Sequence, residues 1–266
     1  MELYQKLYKT DRFFVIAGPC VIEEESIMRQ VLETLLEETA KRNLTFIFKA
    51  SYKKANRTSV ESYTGPGMNE GLALLDSLKT EYNVPILTDV HETSEVKAVA
   101  EVADVIQIPA FLSRQTELLQ AAARSGKIIN IKKGQFMAPE DMRAAVAKIT
   151  AENNFEILLT ERGTVFGYHN LIVDFRSFAQ MKNIDFPVIY DVTHSLQRPS
   201  VGRVSGGTPE FAPMMARAAI ATGCVSGLFF ETHPSPMEAL SDAASMLSLS
   251  QVPELLDNCL SVINKP

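Results

Sequence analysis

Short apolar runs recur along the chain, each giving way to a segment whose apolar positions fall every three or four residues. Eight runs read as strands: "FFVIA" (13–17), "TFIFKA" (45–50), "VPILTD" (84–89), "DVIQIP" (104–109), "IINIKK" (128–133), "EILLTE" (156–161), "PVIYDV" (187–192) and "SGLFFE" (226–231). Their near-continuous hydrophobicity suits parallel strands buried on both faces. Segments between them, such as "SIMRQVLETLLEETAKR" and "QTELLQAAARSG", carry the helical period, and the second ends in a glycine where a helix C-terminus favours one. Eight strands alternating with helices over 266 residues predict an α/β fold of the (β/α)8 TIM-barrel type, as one domain over 1–266. The other arrangement is an open doubly wound sheet, but no GxGxxG follows the first strand, which argues against its dinucleotide-binding form. Two connections are long and rich in Gly, Pro or polar residues: "SYKKANRTSVESYTGPG" after strand 2 and "SLQRPSVGRVSGGTPEF" (195–211) after strand 7. Loops of that kind in a compact domain are usually binding loops.

Composition narrows the function classes. Apolar residues make up 46% of the chain, enough for a large core, and the formal charge of -6 argues against nucleic acid or an anionic membrane as the main partner. Three cysteines, Cys20, Cys224 and Cys259, are far apart without a CxxC pair, so they form no disulfide framework and fit a reducing compartment. The start, "MELYQKLYKTDRFF", lacks the apolar core of about 7–15 residues that a signal peptide needs, and no run approaches the ~18 residues of a membrane span. The expectation is a soluble cytoplasmic protein.

In such a barrel the chemistry lies at the C-terminal ends of the strands. Read strand by strand, that position holds Cys20, Lys49, Asp89, Gln107 with Pro109, Lys132 with Lys133, Arg162, His194 and Glu231. Closure brings strand 8 beside strands 7 and 1, so Cys20, His194 and Glu231 meet, and Asp242 follows in the next loop or helix start. A thiolate, an imidazole and two carboxylates suit iron, zinc or manganese and disfavour magnesium or calcium. Blander readings stand beside this one: an inert buried thiol for Cys20, a core histidine held by a backbone carbonyl for His194, and an ion-pair partner of a barrel lysine for Glu231. The opposite arc, Lys49, Lys54, Lys132 and Arg162, is basic and suits a phosphate or carboxylate. Lys133 points to the other face, where solvation is the ordinary fate of a lysine. Three histidines are weaker candidates. His91 precedes a helix start with Thr93 or Ser94 near the cap, His169 makes a local hydrogen bond, and His233 lines the mouth without ligating. The glutamates of "EEES" read as a helix N-terminus, where acidic residues suit the dipole.

Taken in order, "AGPCVIEEES", "FKASYKKANRTS", "LTDVHE", "IQIPAFLSRQTELL", "IKKGQFMAPEDM", "LTERGTVFGY", "DVTHSLQRP" and "FETHPSPMEALSDAASML" resemble the 3-deoxy-D-manno-octulosonate-8-phosphate synthases over nearly the whole chain. The resemblance implies a (β/α)8 barrel, usually tetrameric, that condenses phosphoenolpyruvate with D-arabinose 5-phosphate for lipopolysaccharide synthesis. It also implies the metal-dependent branch of the family, because metal-independent members carry asparagine where this chain has Cys20. The implied ligands are Cys20, His194, Glu231 and Asp242. Lys54, Lys132 and Arg162, with Lys49, Gln107 and Ala110 nearby, would hold phosphoenolpyruvate, and Asn56 and Asp89 would orient the pentose hydroxyls. Arg57 and Thr58 would reach the arabinose phosphate across a subunit boundary, Thr58 standing where the family often has serine. Lys54, Asn56, Asp89 and His194 are the expected catalytic groups. A covalent intermediate on the thiol is not expected. The alternatives are the related erythrose 4-phosphate synthase of aromatic biosynthesis, which has a Lys-Pro-Arg-Thr type of sequence where this chain reads "KKANRTS", and a non-catalytic barrel that binds a phosphometabolite.

Overall fold

All eight apolar runs form strands: β1 (Phe14–Gly18), β2 (Phe46–Lys49), β3 (Ile86–Asp89), β4 (Val105–Ile108), β5 (Ile128–Lys132), β6 (Ile157–Glu161), β7 (Val188–Asp191) and β8 (Gly227–His233). The computed structural model describes residues 2–57, 59–199 and 206–263. Each strand pairs in parallel with the next, and β8 pairs back onto β1 with Gly18 opposite Glu231, which closes the barrel. This closure is the (β/α)8 architecture that the alternation predicts, and it excludes the open sheet. Gly18 is required by the closeness of the strands: a Cβ there would lie 2.0 Å from the Lys49 carbonyl oxygen.

The two faces of each strand have different tasks. Ile16, Ile47, Leu87, Leu158, Ile189 and Phe229 point inward and form a separate buried cluster that also takes in Tyr4 and Leu7. Those two residues belong to a short helix, Glu2–Tyr8, absent from the predicted elements, and the Tyr4 hydroxyl donates to the Ile157 carbonyl near the start of β6. The outward positions pack under the helices. The helix at Glu25–Lys41, for example, buries Met28, Val31, Leu32 and Leu35 against them, with Glu25 in its first turn as "EEES" implied. One step along each strand toward its C-terminal end, the inward positions turn from apolar to polar, so the floor of the site is hydrocarbon and its walls are ionic.

Three local expectations need correction. Strand β6 is followed by an antiparallel hairpin, Thr164–Gly167 with Asn170–Ile172, that the sequence reading had as loop. The turn before the helix Val96–Val102 is capped by neither Thr93 nor Ser94. Instead the Glu95 carboxylate accepts the backbone N–H groups of His91 (2.8 Å) and Glu92 (3.2 Å). In the long connection after β7, Gln197–Arg198 pairs antiparallel with Gly206–Gly207, and 200–205 lie outside the described residues. Among the described residues no helix is long and apolar enough to cross a membrane.

Candidate active site

A cavity of about 640 Å³ opens at the C-terminal end of the barrel. Lys49, Asp89, Gln107, Lys132 and Arg162 line it from the strand ends. Lys54, Asn56, Arg57, Ala110, His194 and Asp242 line it from the connections after the strands, while Cys20 and Glu231 are fully buried and outside the lining. Thr58 lies outside the described residues.

One wall gathers acidic and soft donors. Cys20, Glu231 and Asp242 each present an atom within 4.8 Å of the others. The Cys20 sulfur is fully buried and lies 2.9 Å from the Ser241 hydroxyl and 3.0 Å from Asp242 Oδ2. Asp242 reaches this place from a left-handed backbone conformation, φ 49°, of a kind that costs about 1–3 kcal/mol and persists where the surroundings impose it. His194 completes the group from the side of β7: its Nε2 is 3.6 Å from Glu231 Oε2 and 3.8 Å from Asp242 Oδ2. Glu231 Oε2 is buried without a hydrogen-bond partner. Burial, then the charges of Asp242 and Glu231, push the Cys20 thiol well above its ordinary pKa. A thiol held in its protonated form by burial is a weak nucleophile. A thiol and two carboxylates, one with an orphaned oxygen, lie together with the imidazole of His194 at their edge, and such donors fit a divalent transition metal whose charge would favour the thiolate.

Lys49 both lines the cavity and braces the donor group: its ammonium is buried and donates to Glu231 Oε1 at 2.8 Å and to the Cys20 carbonyl at 2.9 Å. The ion-pair reading of Glu231 holds for Oε1, and Oε2 is left without a hydrogen-bond partner among the described residues. Breaking such a buried pair costs about 3–5 kcal/mol because one charge is left uncompensated.

The facing wall is cationic. Arg162 is buried and donates through Nη2 to Gln197 Oε1 at 3.2 Å, while its Nη1 is buried without a partner. Lys132 lies 2.5 Å from Asp191 Oδ2 with its ammonium 4.0 Å from the centroid of the Phe229 ring. Burial lowers the pKa of both Lys132 and Arg162, with Asp191 opposing. Burial also acts to lower Lys54, but Cys20, Glu231, Asp89 and Asp242 outweigh it and raise its pKa. Three cations beside a free guanidinium N–H make a seat for a polyanion. Asp89 is held well below the usual carboxylate range: burial would raise it, but a hydrogen bond from His91 and the charge of Lys54 prevail. The Ser51 hydroxyl also donates to Asp89, and His91 Nε2 lies 3.1 Å from its Oδ2. Gln107 is fixed by Asn130, whose amide donates to it at 3.0 Å.

The remaining histidines and Lys133 behave differently from expectation. Lys133 does point to the other face, but it is buried rather than solvated, donating to Thr164 Oγ1, the Met137 carbonyl and the Gly134 carbonyl. His233 is buried away from the cavity, 3.5 Å from Glu23. The bond of His169 is not local, since its Nδ1 meets the Pro199 carbonyl at 2.7 Å. His194 is held by the Asp191 carboxylate and not by a backbone carbonyl. Arg57 lines this chain's own cavity and donates to the carbonyls of Tyr63 and Leu240. The sequence reading missed Asp191, Ser51 and Ser241. Asp191 could have been found by stepping inward positions two by two along "VIYDV".

A profile of the DAHP synthetase I family matches residues 7–262. The chain is 51% identical over 249 residues to the 2-dehydro-3-deoxyphosphooctonate aldolase of Syntrophotalea carbinolica, covering 93% of this chain and 90% of that protein. It is 52% identical over 245 residues to the protein of that name from Acidithiobacillus ferrooxidans, with 92% and 87% covered. The one from Koribacter versatilis is 49% identical over 255 residues, with 94% and 91% covered.

Proposed function

The chain belongs to the DAHP synthetase I family, and we propose that it condenses phosphoenolpyruvate with D-arabinose 5-phosphate and water to give 3-deoxy-D-manno-octulosonate 8-phosphate and phosphate. It is an enzyme of the transferase type, supplying a lipopolysaccharide precursor. The carbon count supports the pentose: an eight-carbon product less the three carbons of phosphoenolpyruvate leaves a five-carbon aldose. The observation that carries the reading is that a buried Arg162, whose Nη1 has no partner among the described residues, lines one cavity with Lys132, Lys54 and Asp242, the last grouped with the buried Cys20 and Glu231.

Arg162, Lys132 and Lys54 hold the carboxylate and phosphate of phosphoenolpyruvate, with Gln107 and Ala110 at its edge. Asn56 and Asp89 orient the pentose hydroxyls, and Arg57 reaches toward its phosphate. Carbon C3 of phosphoenolpyruvate attacks the C1 aldehyde while water adds at C2. The tetrahedral C2 centre then expels phosphate by C–O cleavage, with the lysines and Arg162 meeting the charge that develops. Holding both substrates in one cavity removes much of the entropic barrier. Cys20, His194, Glu231 and Asp242 would hold one divalent transition metal, whose charge acidifies water or polarises the aldehyde oxygen when bound.

The assembly in this reading is a homotetramer. The hairpin after β6 exposes Val165, Phe166 and Tyr168, and exposed Phe136 follows Gln135, whose carbonyl accepts the Val165 N–H, an apolar group suited to contact with further copies. A cytoplasmic site of action keeps the free thiols of Cys20, Cys224 and Cys259 reduced.

Phosphate release from phosphoenolpyruvate, measured with either aldose in metal-replete protein, tests the assignment. Arabinose 5-phosphate is expected to be turned over faster. Faster use of erythrose 4-phosphate would replace it with the aromatic-pathway enzyme, which Asn56 argues against. No phosphate release with either aldose would leave a binding barrel.

A further inference from the structure

Asp191 is fully buried at the end of β7 and is neither a metal donor nor a cavity-lining residue. Its Oδ1 accepts the His194 backbone N–H at 2.9 Å and lies 3.0 Å from His194 Nδ1. Its Oδ2 is 2.9 Å from the same Nδ1 and 2.5 Å from the Lys132 ammonium. We propose that Asp191 is a positioning residue that fixes the proton of His194 on Nδ1, so that Nε2 presents its lone pair to the donor group of Cys20, Glu231 and Asp242.

A carboxylate is acceptor-only when ionised, so the 3.0 Å hydrogen bond between Asp191 Oδ1 and Nδ1 requires that nitrogen to carry the proton. Lys132 also lies 3.2 Å from Nδ1, but an ammonium can only donate, and its closer neighbour is Asp191 Oδ2, with which it forms an ion pair. The neutral ring then has a bare Nε2, and that atom faces Glu231 Oε2 and Asp242 Oδ2. The chain makes this geometry locally. Asp191 ends the strand and caps the single helical turn Val192–Ser195, so the carboxylate and the imidazole three residues later are set by one short piece of backbone. A carboxylate behind a ligating histidine raises its basicity and removes its rotational freedom.

The inference rests on the metal reading, and the experiment separates the two. Apo protein is titrated with Co(II) in competition with a chelator of known affinity, following the thiolate-to-cobalt absorption, and far-ultraviolet circular dichroism monitors the fold. Asp191→Asn is expected to bind Co(II) about 10- to 100-fold more weakly than the wild type, with an altered cobalt spectrum and an unchanged fold. Asp191→Glu keeps the charge beside Lys132 but displaces the oxygens from Nδ1, and it carries the same expectation should the amide variant not fold. Wild-type affinity and spectrum in a folded variant would overturn the role of Asp191 and leave the metal site standing. A wild type that binds no Co(II) would overturn both.

Discussion

Cys20→Ala is expected to keep the barrel and lose bound metal together with about two to four orders of magnitude in turnover. The side chain is fully buried, so the truncation leaves a small space and does not disturb the strand, whose closure depends on Gly18 and the β1–β8 register. What is lost is the only soft donor of the group, leaving the carboxylates of Glu231 and Asp242 with His194. A Lewis-acid contribution amounts to several kcal/mol, and each 1.36 kcal/mol is a factor of ten in rate. Metal content after gel filtration, circular dichroism and phosphate release together check the prediction. Cys20→Asn restores the residue that the resemblance assigns to metal-independent relatives, and it is expected to retain more turnover than Cys20→Ala.

The second large effect is expected at Arg162. Arg162→Ala removes a buried guanidinium whose Nη1 has no partner among the described residues, so the loss falls on the anion it holds. Truncating one member of a desolvated charge pair costs about 2–5 kcal/mol, and kcat/KM for phosphoenolpyruvate is expected to fall by roughly two to three orders of magnitude. Arg162→Lys is expected to recover only part of this, because an ammonium cannot clamp two oxygens in one plane. Metal affinity is expected to stay at the wild-type value, which distinguishes this variant from Cys20→Ala and from Asp191→Asn. An unchanged kcat/KM would remove Arg162 from the anion seat.

The barrel was legible because its strands are buried on both faces and so read as unbroken apolar runs, with ends placed within about two residues. The site was legible for the same reason: an ionisable residue closing such a run has no outer surface to occupy and must face the mouth. That logic places Asp89, Lys132 and Arg162 on the lining of the cavity. It fails where a charge is buried for another purpose. Lys133 stands on the outer face of the barrel, where pattern alone gives solvent, yet it is enclosed by the β5 and β6 loops and serves their carbonyl and hydroxyl oxygens. An ion pair of Glu231 with a barrel lysine was among the expectations, and only barrel closure shows that the lysine is Lys49. The hairpin after β6 was invisible for a local reason. Its strands are three or four residues long, and its turn depends on His169 at φ 57°, a conformation that the usual Asn-Gly signal would have announced.

The most direct test of the account is turnover of phosphoenolpyruvate and arabinose 5-phosphate by the wild-type protein through stepwise chelation and add-back. Barrel closure brings Cys20 from the turn after β1, Glu231 from β8 and Asp242 from the loop beyond it together, with His194 from the turn after β7 beside the two carboxylates. One metal held by the four is the central claim. The account predicts that turnover falls to baseline as metal is withdrawn, then returns on addition of iron, zinc or manganese. Turnover that persists undiminished in protein shown to be free of metal would contradict it.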